Sequence, residues 1–142
     1  MTKRVLLFVY GSLMNGMEAD ELLRRNGARL VGRATMQGKL VDLGEFPGVI
    51  KSSNPRDLVV GELYELPNHT FDELDEYEEF VPSDPRRSLF VRERILTRLA
   101  DDAKQPFEAW TYFYNPQADS EPGRPIRSGD YRSYQRRTAT RR

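Results

Sequence analysis

The chain contains no cysteine, which excludes disulfides, thiolate-held metals and a cysteine nucleophile. It has one histidine, His69, beside Pro67-Asn68. That position reads as a turn residue. One imidazole with no thiol cannot build the usual zinc set, and no histidine is placed to serve Ser12 in a hydrolase triad. Excess charge is also missing. The 22 basic and 22 acidic residues cancel, so no net field draws the chain to nucleic acid or to an anionic membrane. No apolar run nears the roughly 20 residues of a membrane span. Behind Lys3-Arg4 only five apolar residues, Val5 to Val9, precede Tyr10. That is shorter than the about 7–15 of a signal-peptide core, so a buried first strand and a cytoplasmic location are expected. Gly-x-Gly-x-x-Gly and Walker patterns are lacking, which removes the usual support for nucleotide binding. No cofactor and no metal are expected, and there is no internal repeat or heptad.

What is present fits one compact domain. A chain of 142 residues suffices to bury about 68% of its unfolded surface. With 38% hydrophobic and 31% charged residues, a small core under a polar shell is expected. The most informative stretch is residues 8–16. There a β-prone run breaks into the turn Tyr10-Gly11-Ser12-Leu13. A glycine permits a sharp turn and close approach to main-chain N–H groups. Consecutive N–H groups in such a turn make a concavity suited to an anionic oxygen. A plain strand-to-loop turn would look the same.

Residues 70–80 add a carboxylate. Thr70 and Glu73 have capping-box spacing, which predicts a helix starting at Thr70. Phe71, Leu74, Glu78 and Val81 fall on one stripe of that helix, while Asp72, Glu73, Glu76 and Glu79 fall elsewhere. Glu78 is therefore the acid pointed inward. A carboxyl removed from water has a raised pKa and suits proton transfer near neutrality. The alternative is a solvated acidic face, with Glu78 paired to an arginine.

The remaining chain parses as short strands with two or three helices. Residues 4–9 read as a central strand buried on both faces. Glu18 to Arg25 reads as a helix stopped by Asn26-Gly27. Residues 28–42 hold two strands, with Gly32 and Gly38 as bulges or corners. Gly44 to Pro47 and Ser52 to Pro55 are turns, Leu58 to Leu66 a strand, and Val81 to Arg87 a loop. Ser88 to Leu99 and Phe107 to Asn115 form a hairpin with a long connection. Asn115 to Pro125 is a surface excursion or a lid. Ser128 caps a final helix through Tyr134, and the basic residues 135–142 form a mobile tail. Many short strands with few helices favour a small barrel or strongly curved sheet.

These pieces, in order, resemble the gamma-glutamylcyclotransferase-like superfamily. Tyr10-Gly11-Ser12-Leu13 is similar to its first-strand signature, and Leu74-Asp75-Glu76-Tyr77-Glu78 to its Leu-Asp-x-aromatic-Glu helix. Gly38 to Gly48, Val60-Gly61-Glu62-Leu63-Tyr64, Leu89-Phe90-Val91-Arg92, Ala109 to Tyr114 and Ile126 to Tyr131 resemble further family segments. Phe90 departs from the pattern, standing where a tyrosine is usual. The resemblance spans roughly residues 4–134. It implies a single α+β domain over residues 1–134, built as a small mixed β-barrel or strongly curved sheet with a few short helices. It also implies a cofactor-independent enzyme that cyclises a γ-glutamyl amine or γ-glutamyl amino acid to 5-oxoproline. Glu78 would be the general acid/base. Tyr10, Gly11, Ser12 and Leu13 would bind substrate, and Tyr112 would line the pocket or belong to the core. The partner implied is a small molecule, not nucleic acid or membrane. A non-catalytic binding module for a small carboxylated metabolite is the alternative on the same fold.

Overall fold

The computed structural model describes residues 3–117 and 123–140. Five strands close a barrel in the order β1 (Arg4–Val9), β5 (Leu58–Pro67), β2 (Arg29–Gln37), β6 (Phe90–Leu99) and β7 (Asp102–Tyr114). All neighbours are antiparallel except β1 and β7, which meet in parallel at Leu7 and Trp110 and so close the ring. Beside the barrel lies a small antiparallel sheet in the order β4 (Pro47–Ile50), β3 (Lys39–Asp42) and β8 (Arg124–Pro125). Three helices complete the fold: α1 (Glu21–Arg25), α2 (Phe71–Tyr77) and α3 (Tyr131–Thr140).

Strand β1 has no polar alternation because both of its faces are covered. Leu7 and Val9 pack with Leu22 and Leu23 of α1 and with Phe71 and Leu74 of α2. Phe8 and Tyr10 point the opposite way, into a second cluster with Ala34, Met36, Leu63, Ala109 and Phe113. Full burial of side chains of this size stabilises by about 1.5–3 kcal/mol each. The order of the clusters along β1 puts its C-terminal end, and the turn that follows, between two layers of core.

Several local expectations are corrected. Helix α1 is only five residues, because residues 12–20 form consecutive turns in place of a first helical segment. Pro47–Ile50 is a strand, unexpected from a stretch holding both proline and glycine; Leu40 pairs with Val49, which is fully buried. The β6–β7 connection is short rather than long. Leu99 pairs with Asp102, and the sequence between Asp102 and Pro106 is taken up by a bulge whose Ala103 and Lys104 carbonyls accept from Arg98. The bulge between Leu30 and Gly32 appears where a strand glycine was read as one.

Helix α2 does not start with the capping box. Thr70 ends a 3-10 turn over Asn68–Thr70, has helical dihedrals and makes no capping hydrogen bond. Glu73 instead turns to Arg25 and Asn26 of the neighbouring helix. The helix also ends earlier than its apolar stripe, so Val81 is exposed. At α3 the cap is Asp130, whose Oδ1 accepts the Ser133 N–H, while Ser128 supports Asp130 through its own hydroxyl. The helix runs on to Thr140 through most of the basic segment. Of the expected surface excursion or lid over residues 115–125, residues 118–122 lie outside the described residues, and Arg124–Pro125 pairs with β3.

Candidate active site

The turn after β1, the end of α2 and the start of β4 enclose a cavity of about 240 Å³. Tyr10, Gly11, Ser12, Leu13, Glu78 and Tyr112 all line it, so six residues spread over a hundred positions converge on one space. Phe8, Val9, Phe46, Pro47, Leu89 and Phe90 supply apolar wall, and Glu18, Glu45, Tyr77 and Glu79 complete it. A roomier cavity of about 510 Å³ near Gly38, Arg56 and Arg127 contains none of the expected residues.

Gly11 is required by packing rather than by an unusual dihedral. A Cβ there would stand 2.8 Å from Cγ of Pro47. The glycine thus lets β4 close over the turn and form one wall of the cavity. The carbonyls of Gly11 and Ser12 accept from Met14 and Ala19, which folds the chain back on itself. The N–H groups of Gly11, Ser12 and Leu13 donate to no protein acceptor among the described residues. The Ser12 hydroxyl meets the Tyr77 hydroxyl at 2.7 Å.

The hydroxyls of the two expected pocket tyrosines are both engaged by the protein. Tyr10 donates to the Tyr112 carbonyl at 2.6 Å, and Tyr112 donates to Asp75 Oδ1 at 2.6 Å. Burial pushes both phenols well above their ordinary value; the Glu78 charge adds to this at Tyr10, and the bond to Asp75 adds at Tyr112. Phe90 brings no donor. Its ring packs against Phe46 at 5.8 Å and edge-on to Tyr114 at 5.9 Å. Ser12 and Tyr77, whose hydroxyls are bonded to each other, line the cavity as well.

Two acids of α2 and its cap face inward. Asp75, four residues after Phe71, is held bidentately by Arg92 of β6, with Nε–Oδ1 at 2.9 Å and Nη2–Oδ2 at 3.0 Å. The Arg92 guanidinium lies over the Phe71 ring at 4.1 Å and the Trp110 ring at 4.8 Å. This clamp was not anticipated, although an i, i+4 step from Phe71 reaches Asp75. Glu78 is the C-cap residue, and its carboxylate has no ion-pair or hydrogen-bond partner among the described residues. Burial alone pushes it up to about 8.

The helix then closes in a Schellman motif. Phe80 N–H donates to the Asp75 carbonyl and Glu79 N–H to that of Glu76. The C′ position, usually glycine, is Glu79 with φ of 54°. A side chain in this left-handed region costs about 1–2 kcal/mol. The turn after β1 is fixed from the opposite side by α3. Arg132 donates to the Asn15 carbonyl at 2.7 Å and approaches buried Glu62, which accepts the Asn15 N–H at 2.7 Å. Neighbouring Tyr64 is pushed up to about 12, by burial first and then by the Glu62 charge. Among the described residues no three metal-binding side chains cluster, and no helix is long and apolar enough to cross a membrane.

The family model described as "Gamma-glutamyl cyclotransferase, AIG2-like" matches residues 7–133. The chain is 34% identical over 110 residues to a gamma-L-glutamyl-butirosin B gamma-glutamyl cyclotransferase of Niallia circulans, covering 77% of this chain and 66% of that protein. It is 32% identical over 112 residues to a putative gamma-glutamylcyclotransferase of Vibrio cholerae, covering 77% and 81%. The crystal structure of YkqA from Bacillus subtilis shares the fold, with a TM-score of 0.75 at 22% identity, over 97% of this chain and 43% of that one. A match across nearly all of the barrel, together with the Tyr10–Leu13 turn facing Glu78, makes the chain a member of the gamma-glutamyl cyclotransferase, AIG2-like family.

Proposed function

We propose that the protein converts a γ-glutamyl amide to 5-oxoproline and a free amine, with Glu78 as the general acid/base. The observation that carries this reading is a part-buried carboxyl with no cationic partner that shares one cavity with the Tyr10–Leu13 turn, where burial pushes it up to about 8. The substrate contains both reactants. Its α-nitrogen attacks its own γ-carbonyl carbon, forming the ring C–N bond while the bond to the departing nitrogen breaks. Tethering leaves orientation as the main requirement, and no external nucleophile is needed.

The proton inventory assigns one task to Glu78. The α-ammonium must lose a proton before attack, and the departing nitrogen must gain one. Glu78 takes the first and returns it. In sum two protons leave the α-nitrogen and both end on the product ammonium. A carboxyl raised to about 8 is closer in basicity to an amine than an ordinary carboxylate is, which makes the transfer from the α-ammonium less uphill. The N–H groups of Gly11, Ser12 and Leu13 hold either the substrate carboxylate or the developing oxyanion. Tyr10 and Tyr112 act as walls, since their hydroxyls are engaged elsewhere.

The test is release of 5-oxoproline, followed by mass spectrometry, from γ-glutamyl amides and dipeptides with wild type and Glu78→Gln. The variant is expected to lose about 10²–10⁴-fold in kcat while staying folded. Wild-type turnover should rise with pH through about 8 as Glu78 ionises. Undiminished turnover in Glu78→Gln would remove Glu78 from the mechanism. Saturable binding with no product from any substrate would favour the binding-module alternative.

A further inference from the structure

Glu62 is a buried acid that the proposed chemistry does not use. It lies on β5 directly across from Val9, the last residue of β1. Its Oε1 accepts the Asn15 N–H at 2.7 Å and meets the Tyr64 hydroxyl at 3.4 Å. Arg132 of α3 donates to the Asn15 carbonyl at 2.7 Å and stands 3.6 Å from Glu62 Oε2. Both main-chain polar groups of Asn15 are thus held by side chains from elements distant in sequence. None of these four residues lines the cavity.

Asn15 directly follows the turn that does line it. The Met14 N–H returns to the Gly11 carbonyl at 3.0 Å, so residues 11–14 form one hydrogen-bonded unit, and the Leu13 and Met14 side chains are buried. That unit carries the N–H groups of Gly11, Ser12 and Leu13. Before it, β1 ends opposite Glu62; after it, Asn15 bonds to the Glu62 carboxylate. One residue therefore sets both ends of the turn. A buried ion pair adds little net stability over apolar residues of similar size, since desolvation offsets the attraction. Placement of Asn15 is the contribution left to a carboxylate here.

We propose that Glu62 is a positioning residue for the Tyr10–Leu13 turn, acting through the Asn15 N–H, with Arg132 of α3 holding the same residue's carbonyl. Activity then depends on a strand and a helix that contribute nothing to the cavity wall. The inference rests on the cyclotransferase reading only for its activity readout. Reach and charge can be separated at this position. Glu62→Gln keeps the length and an acceptor oxygen but loses the charge. Glu62→Asp keeps the charge but is one methylene shorter, so it withdraws from the Asn15 N–H. A misplacement of about 1 Å at a site can cost about 10²-fold in rate.

Two measurements on the full chain test this: 5-oxoproline release from γ-glutamyl ethylamide, and hydrogen exchange of the amides over residues 11–15. Glu62→Ala is expected to lower kcat/KM by about 10–100-fold and to speed exchange over residues 11–15, while β6 and β7 stay protected. Glu62→Gln should restore kcat/KM to within about threefold of wild type, and Glu62→Asp should not. Arg132→Met, at a half-exposed residue whose loss spares folding, should lower kcat/KM by about threefold. Thr97→Ala removes a buried hydroxyl bonded to the Phe107 carbonyl, away from the cavity, and should lower Tm with kcat/KM unchanged. Equal losses of kcat/KM in Glu62→Ala and Thr97→Ala, or rescue by Asp in place of Gln, would overturn the inference and keep the cyclotransferase reading. If calorimetry shows that wild type binds the amide without turnover, that reading falls, and the same order of Gln above Asp in affinity sustains the inference. A wild type that neither turns over nor binds the amide overturns both.

Discussion

Asp75 and Glu78 lie three residues apart on the same helical segment, and both turn inward, yet their surroundings are opposite. Asp75 is gripped by the two nitrogens of Arg92 and by the Tyr112 hydroxyl, with aromatic rings stacked on the guanidinium. Glu78 has burial and no partner, and its pKa climbs to about 8. The first arrangement fixes a charge as structure. The second is the arrangement that the proposed proton transfer requires. Burial therefore does not by itself make a carboxylate reactive; what distinguishes the pair is whether a cation has been supplied. The neighbour of Glu78 is also its scaffold, because the Asp75 clamp fastens α2 to β6 and β7 and so sets where Glu78 emerges.

The contrast can be broken first at the clamp. Asp75→Ala leaves a part-buried Arg92 unpaired and should cost up to about 3 kcal/mol, read as a lower denaturant midpoint. A loss below about 1 kcal/mol would mean the pair is solvated like a surface salt bridge.

At the other acid the sign reverses, since Glu78→Gln should stabilise. The folded-state pKa is raised, so the folded protein holds this proton more tightly than the unfolded chain. Stability tied to Glu78 is complete below about 4.5 and is lost as pH rises through about 8. The shift would convert to at most about 5 kcal/mol, and solvent reaching the cavity reduces this to about 2 kcal/mol. Thermal melts should show the variant matching wild type near pH 4 and exceeding it at pH 9. A constant gap across that range would contradict the burial account.

Smaller effects sharpen the surrounding frame. Gly11→Ala forces a methyl against Pro47 and should destabilise by about 1–2 kcal/mol, with turnover falling as the turn is displaced. Tyr10→Phe removes one buried hydrogen bond and should cost about 1 kcal/mol in stability with little change in KM. A large rise in KM would place that hydroxyl on the substrate after all.

Much of the barrel was legible because its signals are local. Unbroken apolar residues marked β1 as buried on both faces, and the two faces indeed go to separate cores. The strand glycine at position 32 marked a bulge. Less visible was β4, whose Pro47 and Gly48 argue against a strand until β3 offers a pairing edge. The capping box failed because Glu73 found Arg25 and Asn26, partners that only tertiary contact brings near. Among the site residues, the Tyr10–Leu13 turn and Glu78 stood out by residue type and spacing. Asp75, Glu79 and Glu45 did not, since acidic residues in such a run look alike until their surroundings are known.

The sequence by itself determined which classes of chemistry were open: no thiol, no metal set of histidines and cysteines, and one turn and one helix with the composition of a site. It also determined six of the eight strands among the described residues, and the segment from which an inward acid would come. Only the tertiary structure decided that Arg92 goes to Asp75 and not to Glu78, that Gly11 serves Pro47, and that the Tyr10 and Tyr112 hydroxyls are engaged by protein acceptors. The reason is physical. Periodicity and propensity act over a few residues, whereas a pKa depends on which groups from distant strands are brought within a few ångströms and which are kept out.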